Sequence, residues 1–417
     1  MGQFQMNGGC SLFSNTRSNQ EKTSRAGRWP VALPAALVAA AALAGCGGAA
    51  SQAPKSTAPA APSAAAQPAA AVSPATLAHL QALVAQAEAT PTFVPPGPPV
   101  DAAKARGDKV EIIPGNSEIS YCADEANDLV KLGQSLGIPT SNYATTGRPS
   151  QWVQGVLQGF ATHVNAIDLS CGITPAALGP QLQVAKQNHV ATILAEWYLP
   201  NQPVPSAVTG ATGTFQDQAE QLLVDDAIVQ NHGKPFHALI LTADDAIAGP
   251  GAAEAALQEF QKRCGQACPA QIINIPLSEW GTRIQSTVSS ALTADPKVTA
   301  IIAVFDGMVP GALPAMEAAH RPGLKIYSYG AGAGVVRLIQ TTHGMVAADI
   351  GPSANWAAYA LMDEDLRVMT GQKPLPPNKE YPALRMWTPA NVSQYFTPDG
   401  YGTSYITGYD KLWGIHS

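Results

Sequence analysis

From residue 109 onward, short apolar runs alternate with amphipathic stretches. Residues 109–114 form a β-type run, and residues 121–136 repeat apolar positions at helical spacing up to Gly137. A short strand is expected at 140–144. Trp152, Val156, Phe160 and Val164 then recur every four residues, which is one helical face. A strand at 166–169, a helix at 175–188 and a strand at 190–195 complete a parallel βαβ sheet. After a longer helix at 215–232 the pattern restarts. It predicts strands at 238–242, 271–275, 300–305, 325–329 and 345–350, with helices at 252–263, 284–292, up to 319, and 335–341. The fold class expected is therefore α/β: two doubly wound parallel-sheet lobes joined by a multi-strand hinge, with a cleft between them.

The chain before residue 109 reads differently. Arg17, Lys22, Arg25 and Arg28 precede an apolar run at 31–43, too short and too proline-interrupted to span a bilayer, and Leu43-Ala44-Gly45-Cys46 closes it. That order is a lipoprotein signal peptide, residues 1–45, with Cys46 as the lipidated residue; the competing reading is a short apolar helix with a chance cysteine. Residues 47–73 are Ala, Pro, Ser and Gln with almost no large apolar side chain, the composition of a tether. A short helix at 76–87 and a proline-rich stretch at 95–99 lead into the folded part.

Composition narrows the partners. Removing the leader, which carries four basic residues and one acid, takes the formal charge from -6 to -9, so nucleic acid is excluded as a partner. Cys122, Cys171, Cys264 and Cys268 remain after Cys10 leaves with the leader and Cys46 is lipidated. An even remainder outside the cytoplasm points to disulfides, Cys264–Cys268 and Cys122–Cys171. A metal site or free thiols are the other readings, but no CxxC or nearby histidine spacing supports a metal. The histidines are scattered singly, and no P-loop, GxSxG or HExxH occurs. Gly330-x-Gly332-x-Gly334 only imitates a dinucleotide fingerprint. The expectation is a protein that is not an enzyme and has no cofactor.

Ala303-Val304-Phe305-Asp306-Gly307-Met308-Val309-Pro310-Gly311-Ala312, the strand 326–329 with its turn, His343-Gly344-Met345-Val346-Ala347-Ala348 with Pro352, and a C-terminal stretch with Arg385, Asn391-Val392 and Tyr409-Asp410-Lys411-Leu412-Trp413-Gly414 occur in this order. Over residues 109–371 the chain resembles the type I periplasmic binding proteins, in particular the ribose-like sugar-binding lipoproteins of ABC importers. The resemblance implies a monomer, lipid-anchored on the extracytoplasmic side of a bacterial membrane, that delivers a small-molecule ligand to an ABC permease. A receptor that signals to a membrane kinase or chemoreceptor is the alternative. The expected organisation is a tether at 46–107, an N-terminal lobe of 108–205 plus 351–378, and a C-terminal lobe of 206–350 plus 379–417. Chain crossings are expected near 200–214, 350–352 and 376–382.

The same resemblance implies that residues at the carboxyl ends of strands in both lobes grip the ligand. In this chain they are Asn116, Tyr121, Glu196, Trp197 and Tyr198 from the first lobe, and Asp244, Asp245, Trp280, Phe305, Asp306, Tyr329 and Asp349 from the second. Aromatic faces would cover apolar ring faces while carboxylates and amides bind hydroxyls. Trp197 and Trp280 are also open to a reading as core or hinge packing, and Asp244, Asp245 and Asp306 to one as helix caps. The sugar binders of this cluster usually present an Asp-Arg pair after the fourth strand and an arginine in the second lobe; this chain has Glu196-Trp197 and Asp244-Asp245. Phe305 and Gly330 stand where the cluster has Asn and an acid. Carboxylates without a cation among them would repel an anion and favour a neutral or cationic ligand, sugar-like, polyol or aromatic.

Overall fold

Ser73 caps α1 (Pro74–Glu88): its hydroxyl accepts from the Thr76 N–H, and Pro74 takes a position where its missing N–H costs nothing. The computed structural model describes residues 72–198, 200–397 and 400–415. The leader, the lipidation site Cys46 and the tether up to residue 71 lie outside the described residues.

β1 (Val110–Pro114) is buried at every position, as a strand covered by helices on both faces must be. α2 (Ser120–Leu136), β2 (Thr140–Asn142), α3 (Pro149–Thr162), β3 (Ala166–Ser170), α4 (Gly179–Gln187), β4 (Ala191–Trp197) and β5 (Gly210–Gly213) follow. They form a five-stranded, all-parallel sheet in the order β2-β1-β3-β4-β5. The chain then builds α5 (Gln216–Gln230), β6 (His237–Thr242), α6 (Gly249–Arg263), β7 (Ala270–Asn274), α7 (Trp280–Ala294), β8 (Val298–Ala303), α8 (Val309–Ala319), β9 (Lys325–Tyr329), α9 (Ala333–Thr341) and β10 (Val346–Pro352). α10 (Ala354–Met369) packs on α2 of the first lobe, and β11 (Leu384–Trp387) runs antiparallel to β10. The second sheet has six strands, β11-β10-β9-β8-β6-β7. α11 (Ser404–Leu412) lies against α10.

In both lobes the strand order reverses beside the first strand, between β1 and β3 and between β6 and β8. Those are the topological switch points where open α/β sheets bind ligands. His163, His189, His232, His320 and His343 all hold left-handed backbone positions at helix ends, with φ from 49° to 57°. These five histidines therefore terminate helices, away from the switch points. No helix among the described residues is long and apolar enough to cross a membrane.

The lobe boundaries differ from the sequence expectation in two places. The first lobe extends past residue 205, because 210–213 pairs with β4 and closes the first sheet, so the first crossing falls between β5 and α5. Residues 379–417 do not all belong to the second lobe: β11 does, but α11 packs on α10 of the first. The region before residue 107 is more than a tether, since α1 packs on α5 and β11 of the second lobe, burying Leu80 completely.

From α1 the chain passes to the first lobe as a strap. The Glu88 carbonyl accepts from Arg385 Nε at 2.9 Å and Asn391 Nδ2 at 3.2 Å. Phe93 packs on Tyr409 and Trp356, ring centroids 4.8 and 5.9 Å apart, and the Val100 N–H donates to the Leu412 carbonyl at 2.9 Å. Fully buried Arg367 is paired with Asp363 at 2.8 Å and donates to the Pro98 carbonyl at 3.1 Å. The cysteines of both expected pairs lie at disulfide distance, Cys122 and Cys171 with Cα atoms 5.9 Å apart and Cys264 and Cys268 with 5.4 Å.

If α1 is part of the second lobe's core, Leu80→Ala is expected to lower unfolding free energy by about 2–5 kcal/mol, the usual loss for a buried leucine. Denaturant unfolding checks this. A loss within the scatter of surface substitutions, about 0.5 kcal/mol, would mean that α1 is not packed as described.

Candidate functional site

The carboxyl ends of the strands at both switch points face one another across a cavity of about 60 Å³. From the first lobe come Tyr121, in the first turn of α2, and Glu196, near the end of β4. Glu196 holds a left-handed backbone conformation, φ 60°, which is uncommon for a residue other than glycine. The Cys122–Cys171 disulfide, joining α2 to the end of β3, forms part of the same wall. From the second lobe come Trp280, Phe305, Asp306 and Tyr329. Trp280 is fixed by its indole N–H, which donates to the Ile275 carbonyl at 2.9 Å. Tyr329 and Thr214 share a hydroxyl–hydroxyl bond of 2.8 Å at the crossing between lobes.

Asp306 lies at the turn after β8 and accepts the Gly332 N–H at 2.8 Å. Its carboxyl explains Gly330: a Cβ there would lie 2.4 Å from Asp306 Cγ, and the φ of 150° is itself unfavourable for a side chain. An acid at this position would collide with the acid already present. The lobes touch around the cavity, with the Ile247 N–H donating to the Gly172 carbonyl at 3.4 Å and the Gly334 N–H to Ser120 Oγ at 3.3 Å.

Carboxyl groups dominate the electrostatics. Burial pushes Glu196 up to about 7, with the Tyr121 hydroxyl pulling down and Asp306 pushing up. Burial likewise raises Asp306 to about 6, held down by the Gly332 and Gly307 N–H groups. Behind the walls, burial raises Glu125, Glu220 and Asp349 well above the carboxylate range, Glu125 further through Glu196 and Asp349 through Asp306. Among the described residues, no Lys, Arg or His lines the cavity. Tyr121 Oη faces Glu196 without a partner in hydrogen-bond geometry, and Glu125 Oε1 also lacks one. Glu125, Cys171 and Glu196 place donor atoms within 4.8 Å of one another. Cys171 is engaged in its disulfide, which leaves two carboxylates, fewer oxygens than a hard cation takes.

Tyr121, Glu196, Trp280, Phe305, Asp306 and Tyr329 thus meet at the cavity, and the other residues expected there do not line it. Trp197 packs in the first lobe's core beside Trp152, because side chains alternate across a strand and Glu196 takes the cleft side. Tyr198 stacks edge-on to Trp197 at 5.2 Å and reaches toward Gly251 of the second lobe. Asn116 is at the rim, its Oδ1 accepting the Glu118 N–H at 2.9 Å. Asp244 is exposed, while Asp245 caps the turn before α7 by accepting the Leu277 N–H at 3.1 Å. Asp349 is buried beneath the floor, accepting from the Ser328 hydroxyl at 3.1 Å.

Gln216, Leu277, the 246–248 segment and buried Glu125 were not expected. Glu125 had a signal: it follows Tyr121 by four residues and precedes Leu129 by four, a carboxylate on the apolar stripe of α2. Gln216 had none, since its amide is directed to the Val304 carbonyl at 2.8 Å through a tertiary contact.

No protein-family model matches the chain, and no curated protein matches it in sequence. In three dimensions it is similar to an ABC transporter solute-binding protein from Burkholderia graminis in complex with D-arabinose (15% identity, TM-score 0.60, covering 70% of this chain and 99% of that one). It is also similar to a Caulobacter myo-inositol-binding protein bound to myo-inositol (15%, 0.55, 69% and 96%). A third is a 5-methylthioribose transporter solute-binding protein from Thermotoga lettingae in complex with that ligand (14%, 0.57, 75% and 95%). The chain has the fold of a type I periplasmic binding protein.

The raised carboxyls give a signed pH dependence. Each binds its proton more tightly in the native than in the unfolded chain, so the native state holds more protons from about pH 4 upward, and stability falls as pH rises. The window closes near the folded values, about 6 for Asp306, about 7 for Glu196 and about 8 for Glu364 and Asp365. The ligand-free melting temperature is expected to be higher at pH 5 than at pH 8. A flat or rising profile over that range would contradict the site's electrostatics.

Proposed function

We propose that the protein is an extracytoplasmic solute-binding protein, anchored to the membrane through Cys46, that captures a small neutral or cationic, sugar- or polyol-like ligand between its lobes and delivers it to an ABC importer. One observation carries this reading: side chains from both lobes converge on a single cavity at the two switch points. A ligand there touches both lobes and so favours the closed arrangement, which a permease can recognise. The solved proteins of the same fold hold arabinose, myo-inositol and 5-methylthioribose, which supports the ligand class. The cavity of about 60 Å³ is smaller than the several hundred Å³ of typical ligand pockets, so the lobes part to admit a ligand.

A thermal-shift screen of residues 47–417 against sugars, polyols, amines and aromatic compounds tests the reading, since ligand at about a hundred times its Kd adds about 2.7 kcal/mol to the native state. Trp280→Ala is expected to weaken the compound found at least about tenfold, or 1.4 kcal/mol. Trp197→Ala should instead cost stability, about 3–5 kcal/mol, while affinity stays near wild type. Small-angle scattering should show contraction on saturation. Unchanged affinity in the Trp280 variant, or no contraction, would overturn the cleft assignment. For the anchor, Cys46→Ser is expected to abolish lipid labelling and membrane retention, and Cys10→Ser to leave both; retention of the Cys46 variant would refute it.

A further inference from the structure

Resting on the reading of the cleft as a ligand site, we propose that the ligand carries a positively charged ammonium group, caged by Tyr121, Trp280, Phe305 and Tyr329 with Glu196 as its counter-ion. Four aromatic side chains from two lobes line one small cavity. An aromatic face attracts a cation through its quadrupole, more strongly when both are removed from water, and cages of this kind recognise quaternary ammonium groups.

The donor and acceptor inventory points the same way. A sugar presents hydroxyls that donate and a ring oxygen that only accepts, so a sugar site needs donors as well as acceptors. Here most side-chain polar groups are already engaged elsewhere: the Trp280 indole donates to the Ile275 carbonyl and the Gln216 amide to the Val304 carbonyl, and the Tyr329 hydroxyl shares a bond with Thr214, which leaves the Tyr121 hydroxyl as the unpartnered side-chain donor. Acceptors remain. Asp306 is held by Gly332 within its own lobe, but Glu196 meets no N–H donor among the described residues and lies beside the unpartnered, buried hydroxyl of Tyr121 and the carboxyl of Glu125. An ammonium group, which donates or attracts and never accepts, fits that surplus.

Glu196 is also the residue held at φ 60°, an unfavourable conformation for a residue with a side chain that persists where the surroundings dictate it. Its N–H donates to Thr212 Oγ1 at 3.1 Å, which fixes the turn that aims its side chain into the cleft. Among the described residues, no lysine, arginine or histidine lines the cavity to neutralise it. A ligand cation would complete the charge balance that the chain leaves open.

Calorimetric titration with matched pairs tests the charge separately from the site: choline against its uncharged isostere 3,3-dimethylbutanol, and glucosamine against glucose, with myo-inositol and D-arabinose as neutral polyols. The expected result is that at least one ammonium compound binds ten-fold or more tighter than its neutral partner. Glu196→Gln should reduce that affinity at least ten-fold while the melting curve shows a folded protein. Binding of a neutral sugar or polyol in preference to the amines, or full affinity in the Glu196→Gln protein, overturns the ammonium assignment and leaves the solute-binding reading standing. A panel in which no compound of either kind binds counts against both.

Discussion

Burial of carboxyl groups without matching cations is the constraint around which this molecule is arranged. Taking a carboxylate out of water costs several kcal/mol unless a cation or a set of N–H donors replaces the solvent. Arg367 and Arg385 are the buried cations among the described residues, and both are engaged near the hinge, facing Asp363 and the Glu88 carbonyl. Elsewhere the acids answer one another. Asp168 on β3 and Asp365 on α10 are both fully buried, and burial raises the titration of each, that of Asp168 further through the charge of Asp365. Glu380 accepts from the Tyr409 hydroxyl at 2.6 Å, and Asp363 from the Trp413 indole at 2.7 Å. These bonds tie the C-terminal helix and the returning chain to α10, so the same groups that strain the interior also stitch the hinge.

The cleft shows that constraint in its functional form. Sheet topology fixes where the two lobes can meet a ligand, and the sequence at those ends supplies aromatic faces and acids instead of the mixed donors and acceptors of a hydroxyl-binding site. Asp306 has found backbone donors, which forces glycine at 330, while Glu196 has not. An acid kept in a left-handed turn with a tyrosine hydroxyl before it is poised to respond to whatever enters. Trp280 and Phe305, tilted at 6.0 Å from each other, line the same cavity as that acid.

The α/β alternation was legible in the sequence because buried parallel strands are continuous apolar runs and their helices keep a clear stripe. The 325–329 strand lies where the pattern puts it, and Cys122 with Cys171 and Cys264 with Cys268 lie at disulfide distance. What escaped depends on tertiary context. β5 is four small residues, Gly-Ala-Thr-Gly, with no hydrophobic signature, and only pairing with β4 makes it a strand. α10 carries Asp363-Glu364-Asp365 in a buried helix, where pattern reasoning expects a solvated face. Trp197 looked like a cleft residue because it adjoins Glu196, yet neighbours on a strand face opposite ways. The strap from Glu88 to Val100 is held mainly by backbone carbonyls and one phenylalanine, features that composition cannot announce.

We propose that Glu196 is an uncompensated acid whose charge the ligand completes. Carbon-detected NMR titration of the Glu196 side-chain carboxyl measures this directly, in the free protein and with the tightest-binding compound. The expected midpoint is near 7 in the free protein and lower when the ligand is bound, since a cation beside a carboxylate favours its ionised form. A midpoint in the ordinary carboxylate range near 4.3 without ligand, or one that does not move on saturation, would contradict it.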